Sequence, residues 1–524
     1  PEGGGLSLYN KKTKRLQPFF DCIRTPQIRF SIKLHSMMVD RQGNLWLGTH
    51  SKGLEKVTFF FNEFGLTRPK DCNDDTNANK VRAIFEDSKK RIWAGTRDGK
   101  ISIYEAGTLK PLGYLSAQGQ ITRQGAPFIG SAYKIIEDSK GTIWIATKGK
   151  GVIRLTAEGN SYRMDSFVSN PNDVYSLSHN SVYDICEDGK GRLWFVTFGG
   201  GIDLLEPTAN GSCRFINAHY NLKGYPMERC LKARRMLRDS QGRLWVGTSN
   251  GLLSFDENFS RPENINFHLY TASNSPETLS SNDIYDILQT KDNRLFFATF
   301  GGGLNELKQN KGKNAEASFI KYGIQDGLPS DVLISMAADN KNNLWIASES
   351  GLCKFELKEH NFENYLKQEL GSEINFEEGT AISGSDGTLY FGSNRGIVSF
   401  KTDNISKSAN VPPIFLARLK VMNEEILPSE NGILQKSLNE IESISLSHRQ
   451  NTINIKFATL DMSFPENVRY AYKLEGFDKD WNYVDWQRAA TYTNLPKGNY
   501  VFRVKSPSSP KSILSYYASE LPDD

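Results

Sequence analysis

Residues 181–205, SVYDICEDGKGRLWFVTFGGGIDLL, set the pattern of the chain. An apolar run at Val182–Cys186 leads into a polar turn marked by Asp188 and Gly191. Leu193–Thr197, aromatic and β-branched, reads as a buried strand. Gly199, Gly200 and Gly201 predict a tight turn, Ile202–Leu205 a third strand, and Phe215–Ile216 a fourth. The same order of apolar and polar positions recurs eight times, with its aromatic at Trp46, Trp93, Trp144, Trp194, Trp245, Phe296, Trp345 and Tyr390. The steps are 47, 51, 50, 51, 51, 49 and 45 residues. Four short strands at this period describe a β-propeller blade. A helical solenoid would need long segments of 3.6-residue periodicity, and residues 1–405 contain none.

The period partitions the chain. Residues 1–70 read as the last blades of a first propeller, opening on PEGGGLSLYN, which matches a third strand. Residues 71–405 hold seven motif copies and predict a complete seven-bladed second propeller. A single eight-bladed ring is the alternative. Val411-Pro412-Pro413 then marks a linker. Residues 411–505 carry short alternating runs at Phe415–Val421, Ile453–Phe457, Tyr470–Leu474, Thr491–Thr493 and Tyr500–Val504. Their spacing suggests an immunoglobulin- or fibronectin-like β-sandwich. The expected fold is therefore all-β: a seven-bladed β-propeller, preceded by the end of another and followed by a sandwich. The motif aromatics are expected to pack between neighbouring blades; a row of exposed stacking surfaces is the other reading.

Composition narrows the function. With 24% charged residues and a net charge of +4, the chain reads as globular and only mildly basic, too diffusely for nucleic acid. No run of 18 apolar residues offers a membrane span. The six cysteines form no CxxC pair, so no zinc site is expected, and a Cys213–Cys230 bridge stays open. No Gly-rich phosphate loop or HExxH occurs, and no cofactor is expected.

The stretch NTINIKFATLDMSFPENVRYAYKLEGFDKDWNYV…RAATYTNLPKGNYVFRVK, with Tyr470, Tyr472, Tyr492, Tyr500, Gly476 and Trp481, resembles the Y_Y_Y domain. The repeats resemble two-component regulator propeller blades. Together they resemble the periplasmic sensor region of the hybrid two-component systems of gut Bacteroidetes. That resemblance implies two seven-bladed propellers before the Y_Y_Y domain. It also implies a membrane helix, histidine kinase, receiver and AraC-type DNA-binding domain after it. It further implies an oligosaccharide ligand from a polysaccharide, a periplasmic location, and dimerisation through the Y_Y_Y domain. Membrane attachment would come only through the downstream helix. Residues 506–524, SPSSPKSILSYYASELPDD after Lys505, are expected to diverge from the family pattern.

Candidate ligand contacts follow from phase. Five residues before each motif's first position, which is usually Asp and six before the aromatic, stand His35, Arg82, Tyr133, Tyr183, Arg234, Tyr285 and Ile334, expected as one ring at the channel mouth. Arginine and tyrosine donate hydrogen bonds and offer flat faces to carboxylates and sugar hydroxyls. Bridges between blades, to backbone carbonyls or to Asp184 and Asp286, are the alternative. The turns between second and third strands add Arg97, Lys148, Phe198 and Phe300, and the positive stretch YPMERCLKARR adds Arg229. Phe198 and Phe300 suit an apolar sugar face, or else cap the next blade. The rival is a carbohydrate-active enzyme or lyase, for which Asp98, Asp326, Glu349, Glu377 and Glu378 are available carboxylates and His179 the best-placed histidine. An interaction scaffold is a third reading.

Overall fold

The computed structural model describes residues 6–11, 13–18, 33–58, 64–70, 76–208, 213–308, 317–367, 369–370, 374–405, 413–462, 468–484, 487–506 and 509–519. The chain divides into two compact units, residues 62–407 and residues 1–61 with 408–524.

Residues 62–407 form seven antiparallel sheets whose innermost strands are Val81–Glu86, Ser131–Glu137, Val182–Glu187, Ala233–Arg238, Ile284–Gln289, Leu333–Ala338 and Phe376–Ser383. We number the blades one to seven in that order. Six blades contain all their strands in sequence. The seventh takes its outermost strand, Gly65–Thr67, from the start of the unit, paired antiparallel to Gly396–Lys401. The ring is thus closed by its own first segment, which removes a sheet edge. It begins before residue 71, and closure at seven excludes the eight-bladed alternative.

The motif explains why each blade folds alike. Its Asp accepts the turn's backbone N–H groups with one oxygen and the indole N–H with the other. In blade one, Lys89 and Arg91 donate to Asp87 Oδ1 at 3.0 and 2.8 Å, and Trp93 donates to Oδ2 at 2.8 Å. Trp144, Trp194, Trp245 and Trp345 repeat this with Asp138, Asp188, Asp239 and Asp339. Where the aromatic lacks an indole N–H, the Asp is missing too: Phe296 goes with Thr290 and Tyr390 with Gly384. Each aromatic packs into the following blade. Trp144 meets Val182, Ile185 and Phe195; Trp194 meets Met236, Leu244 and Phe255; Tyr390 closes the circle against Val81, Ile84 and Ile92. The aromatics are therefore core, with Trp93, Trp194 and Tyr390 fully buried.

A second device repeats around the ring. The residue closing one innermost strand accepts from the turn of the preceding blade: Ser88 donates to Glu137, Ser139 to Glu187, and Ser240 to Gln289. Ser385 of blade seven donates to Glu86 of blade one, so the closing joint uses the same clasp as the others.

In the other unit, Leu34–Val39, Leu45–Thr49 and Leu54–Val57 form a three-stranded sheet with the same motif, Trp46 donating to Asp40 at 2.8 Å. The sandwich has one sheet of Glu424–Glu425, Ile414–Val421, Ile453–Thr459 and Ala489–Tyr492. Its second sheet is Ser443–Ser445, Ser509–Ser519, Tyr500–Ser506, Tyr470–Glu475 and Asn482–Val484. Phe457, Tyr470, Tyr492 and Phe502 fill its core. The expected divergence after Lys505 is corrected: Ser509–Ser519 continues the sheet, antiparallel to Tyr500–Ser506. Gln42 of the three-stranded sheet ties to the sandwich, donating to the Leu460 carbonyl and accepting from Met462 N–H.

Cys186, Cys213, Cys230 and Cys353 are free thiols, so no Cys213–Cys230 bridge forms. Cys22, Cys72, Val411 and Pro412 lie outside the described residues. Among the described residues no helix is long and apolar enough to cross a membrane, and no group of three or more His, Cys, Asp or Glu could hold a metal ion.

Candidate functional site

The ring of phase-matched residues has a structural cause. In blades one to six the residue at that position is an extra one in its strand. Val182 pairs with Thr197 and Asp184 with Val196, leaving Tyr183 unpaired; Arg82, Tyr133, Arg234, Tyr285 and Ile334 repeat this. Such a bulge re-aims a side chain while the ladder continues. His35 holds the same position in the separate three-stranded sheet, outside this ring.

Seven of the twelve candidate residues are linked into one cluster. Arg82 lies 4.9 Å over the Tyr133 ring and donates to its hydroxyl at 3.0 Å. Tyr133 stacks on Tyr183 at 4.3 Å, and Tyr183 on Phe198 at 4.8 Å with planes 9° apart. Arg234 bridges Phe198 and Tyr285 at 5.0 and 4.5 Å, and Tyr285 meets Phe300 at 5.2 Å. Alternating cations and π-faces support one another in such a row. Phe198 therefore caps its neighbours, while Phe300 stays 49% exposed. Arg97, Lys148 and Arg229 are exposed, and the contacts of the cluster do not reach them.

Blade seven supplies what the phase did not foresee. Its pairing passes from Phe376–Ser393 directly to Ala381–Phe391, so residues 377–380 bulge together. Glu377 comes 2.6 Å from Arg82 Nε, off the N–H axis, so the contact is electrostatic. Glu378 reaches blade four across the channel and accepts from Arg234 Nη1 at 2.8 Å, while Asp283 accepts from Arg234 Nε at 3.1 Å. Gly379 occupies the seventh ring position with φ +54°; a Cβ there would overlap the Arg235 guanidinium, which donates to the Gly379 carbonyl. One signal was available: twelve residues before the motif aromatic the other blades carry Val81, Ala132, Val182, Ala233, Ile284 and Leu333, and blade seven carries Glu378. Asp283 had no comparable signal.

Beneath the ring lies a layer of alternating charge, buried except at Lys134. Lys134, Asp184, Arg235 and Asp286 come from consecutive blades, with Asp184 3.5 Å from both Lys134 Nζ and Arg235 Nη1, and Asp286 3.5 Å from Arg235 Nε. Asp184 and Asp286 also accept from Met236 and Met336 N–H of the following blades. The expected bridging role thus falls to Arg235 rather than to the ring residues. Burial raises the Asp286 pKa, opposed by Arg235. Burial works against the charge of Arg234, but Glu378 and Asp283 outweigh it and its pKa rises. Burial, then Tyr133, pushes the Tyr183 hydroxyl up, so the Tyr183 ring acts as a neutral surface.

Beside the mouth, Asp203 is fully buried with only neutral donors: Ser178 N–H at 2.9 Å, the Ser178 hydroxyl, and Asn217 Nδ2 at 3.0 Å. Burial raises its pKa to about 7. His179 Nδ1 accepts the Ser181 N–H at 3.0 Å, a turn role.

Comparison with known proteins agrees with this architecture. The Two component regulator propeller family matches residues 31–51, 76–98, 176–199, 231–250 and 278–301. The Y_Y_Y domain family matches residues 461–521 and so includes the final strand. A histidine kinase of Formosa agariphila is 23% identical over 96% of this chain, which spans 32% of the length of that relative. The extracellular domain assigned to a hybrid two component system of B. thetaiotaomicron has a similar fold, with a TM-score of 0.51 and 21% identity. That match covers 99% of this chain and 67% of the other. The chain is built of two component regulator propeller repeats followed by a Y_Y_Y domain.

Proposed function

We propose that this chain is the periplasmic ligand-sensing region of a hybrid two-component histidine kinase and regulator. Its ligand is an oligosaccharide, and the binding reports through the Y_Y_Y domain to control polysaccharide-utilisation genes. In the whole protein the Y_Y_Y domain forms the homodimer contact, and a downstream helix enters the membrane. The observation that carries the reading is the row Tyr133–Tyr183–Phe198–Arg234–Tyr285–Phe300, with Phe300 open to solvent. Flat neutral rings meet the apolar face of a pyranose, and the edge polar groups meet its hydroxyls. The kinship with a histidine kinase and with a sensor's extracellular domain supports the sensing role. Glu377, Glu378 and Asp283, the carboxylates that contact this cluster, are all engaged with arginines, which favours binding over hydrolysis.

Binding must favour one of two states to signal. Calorimetry against neutral and acidic oligosaccharides, with product analysis after overnight incubation, tests the reading. Saturable binding without product, weakened in Arg234→Ala and Phe300→Ala and unchanged in Arg97→Ala, is expected. New products would replace the sensor with an enzyme, and no binding to either variant or parent would remove the oligosaccharide.

A further inference from the structure

Four blades place an arginine two residues before the motif aromatic: Arg91, Arg192, Arg243 and Arg294. Three are paired with carboxylates: Arg91 with Asp87 at 2.6 Å, Arg192 with Asp188 at 2.6 Å, and Arg294 with Glu306 at 2.7 Å. Arg243 of blade four differs. Its guanidinium lies 5.8 Å over the Trp245 ring, and none of the hydrogen bonds or ion pairs among the described residues engages its side chain. Its motif Asp239 is occupied by the N–H groups of Gln241, Arg243 and Trp245.

The same arginine lines a cavity of about 410 Å³, built by residues 257–267 between the third strand, Gly251–Asp256, and the fourth, His268–Tyr270. Asp256, Phe259, Asn264, Asn266 and His268 complete the lining. We propose that this cavity is a second binding site, separate from the channel mouth, for a hexuronate: a sugar ring carrying a carboxylate.

The lining selects that class. A guanidinium that no carboxylate of the chain engages offers planar donors that a ligand carboxylate accepts in two hydrogen bonds. Asp256 stands opposite Arg243 across the strand pair, and the Asn258 N–H donates to its Oδ1 at 2.7 Å. Its remaining lone pairs suit a sugar hydroxyl. Asn264 and Asn266 donate and accept alike, as hydroxyl groups require. Phe259, held under the Arg192 guanidinium at 4.0 Å, offers a fixed ring for the apolar sugar face. The volume falls in the range of small-ligand sites.

The test is a titration of the chain with the methyl glycosides of glucuronate and galacturonate, followed by NMR and calorimetry, beside methyl glucoside, methyl galactoside and inorganic sulfate. We expect saturable uronate binding, about tenfold weaker for the neutral sugars. Arg243→Gln should weaken it at least as much. Asn266→Ala, at an exposed position that carries no packing, should weaken it less and guards against a folding defect in the first variant. Binding should persist in the Arg234→Ala, Phe300→Ala double variant, which removes the channel-mouth row, so failure of either site is seen separately. Absence of saturable uronate binding, binding indifferent to Arg243→Gln, equal affinity for the neutral sugars, or sulfate binding as tightly as uronate would each overturn the proposal.

Discussion

The two ends of the innermost strands are built on opposite principles. At the turn end, the Asp–Trp pair and the clasp to the next blade recur with the same atoms and nearly the same distances. At the mouth end, the bulged residue is Arg, Tyr, Tyr, Arg, Tyr, Ile and then a four-residue excursion. The turn end holds a motif whose Asp accepts the indole and turn N–H groups of its own blade. The mouth end holds charges satisfied only by other blades, or, at Asp203, by no cation at all. Repetition marks the part that makes a blade; variation marks the part that distinguishes this ring from any other ring of the same blades.

The largest effect should come from breaking the repeated end. Trp194 is fully buried and fills the gap to blade four. Trp194→Ala should destabilise the ring by about 3–5 kcal/mol in urea unfolding. Asp188→Ala should act through the orphaned indole and turn N–H groups. The double change Asp188→Thr with Trp194→Phe copies blade five and should recover part of the loss. A double variant no better than the sum of the single changes would mean that the pair is not one unit.

Next in size is Asp203, at the varied end. Its folded pKa of about 7 lies above the ordinary 3.8. Between those values the folded state keeps a proton that the unfolded chain releases. Stability therefore falls as pH rises from about 4 to about 7 and stays low above that. In blade five the matching residue is Asn305, whose Oδ1 accepts the Ser280 N–H at 2.9 Å as Asp203 accepts from Ser178. Asp203→Asn should thus remove the slope, matching the parent near pH 4 and exceeding it at pH 8 by on the order of 2–4 kcal/mol. A parent whose melting temperature is flat over this range would sink the argument.

A smaller effect tests the excursion of blade seven. Glu378→Ala leaves Arg234 with Asp283 alone and removes the strut across the channel. We expect a loss of about 1–3 kcal/mol, the worth of a partly buried charged hydrogen bond. Hydrogen exchange should rise first at residues 376–383, because their ladder is already interrupted there. Exchange rising equally in all seven blades would show that the strut is not local.

The same contrast explains what was legible beforehand. Blade number, strand order and the buried aromatics could be read because each rests on a local pattern repeated seven times. The ring positions could be read because a bulge at fixed phase leaves a fixed offset from the Trp. The partners of Arg82 and Arg234 could not. They come from Glu377, Glu378 and Asp283, brought in by ring closure and by a bulge of unusual length. Long-range closure also hid the strand Gly65–Thr67, which carries no motif of its own. Arg97, Lys148 and Arg229 were nominated by charge in the turns, and charge alone does not say which turn leans toward the channel.

The smallest expected change in stability is also the sharpest test of the mouth as a binding surface. Phe300 is half exposed and touches Tyr285 at one edge, so removing it deletes little core. Phe300→Ala should shift unfolding by no more than about 0.5 kcal/mol. If the row of rings receives a sugar, the same change removes one stacking face, worth about 0.5–1.5 kcal/mol. Oligosaccharide affinity should then fall about 2- to 12-fold by calorimetry while the melting temperature holds. Phe198→Ala provides the contrast, since its ring lies between Tyr183 and Arg234 and its loss should register in both measurements. Equal oligosaccharide affinity in the parent and in both variants would remove the row from the binding site and leave it as the packing that joins blades two to five.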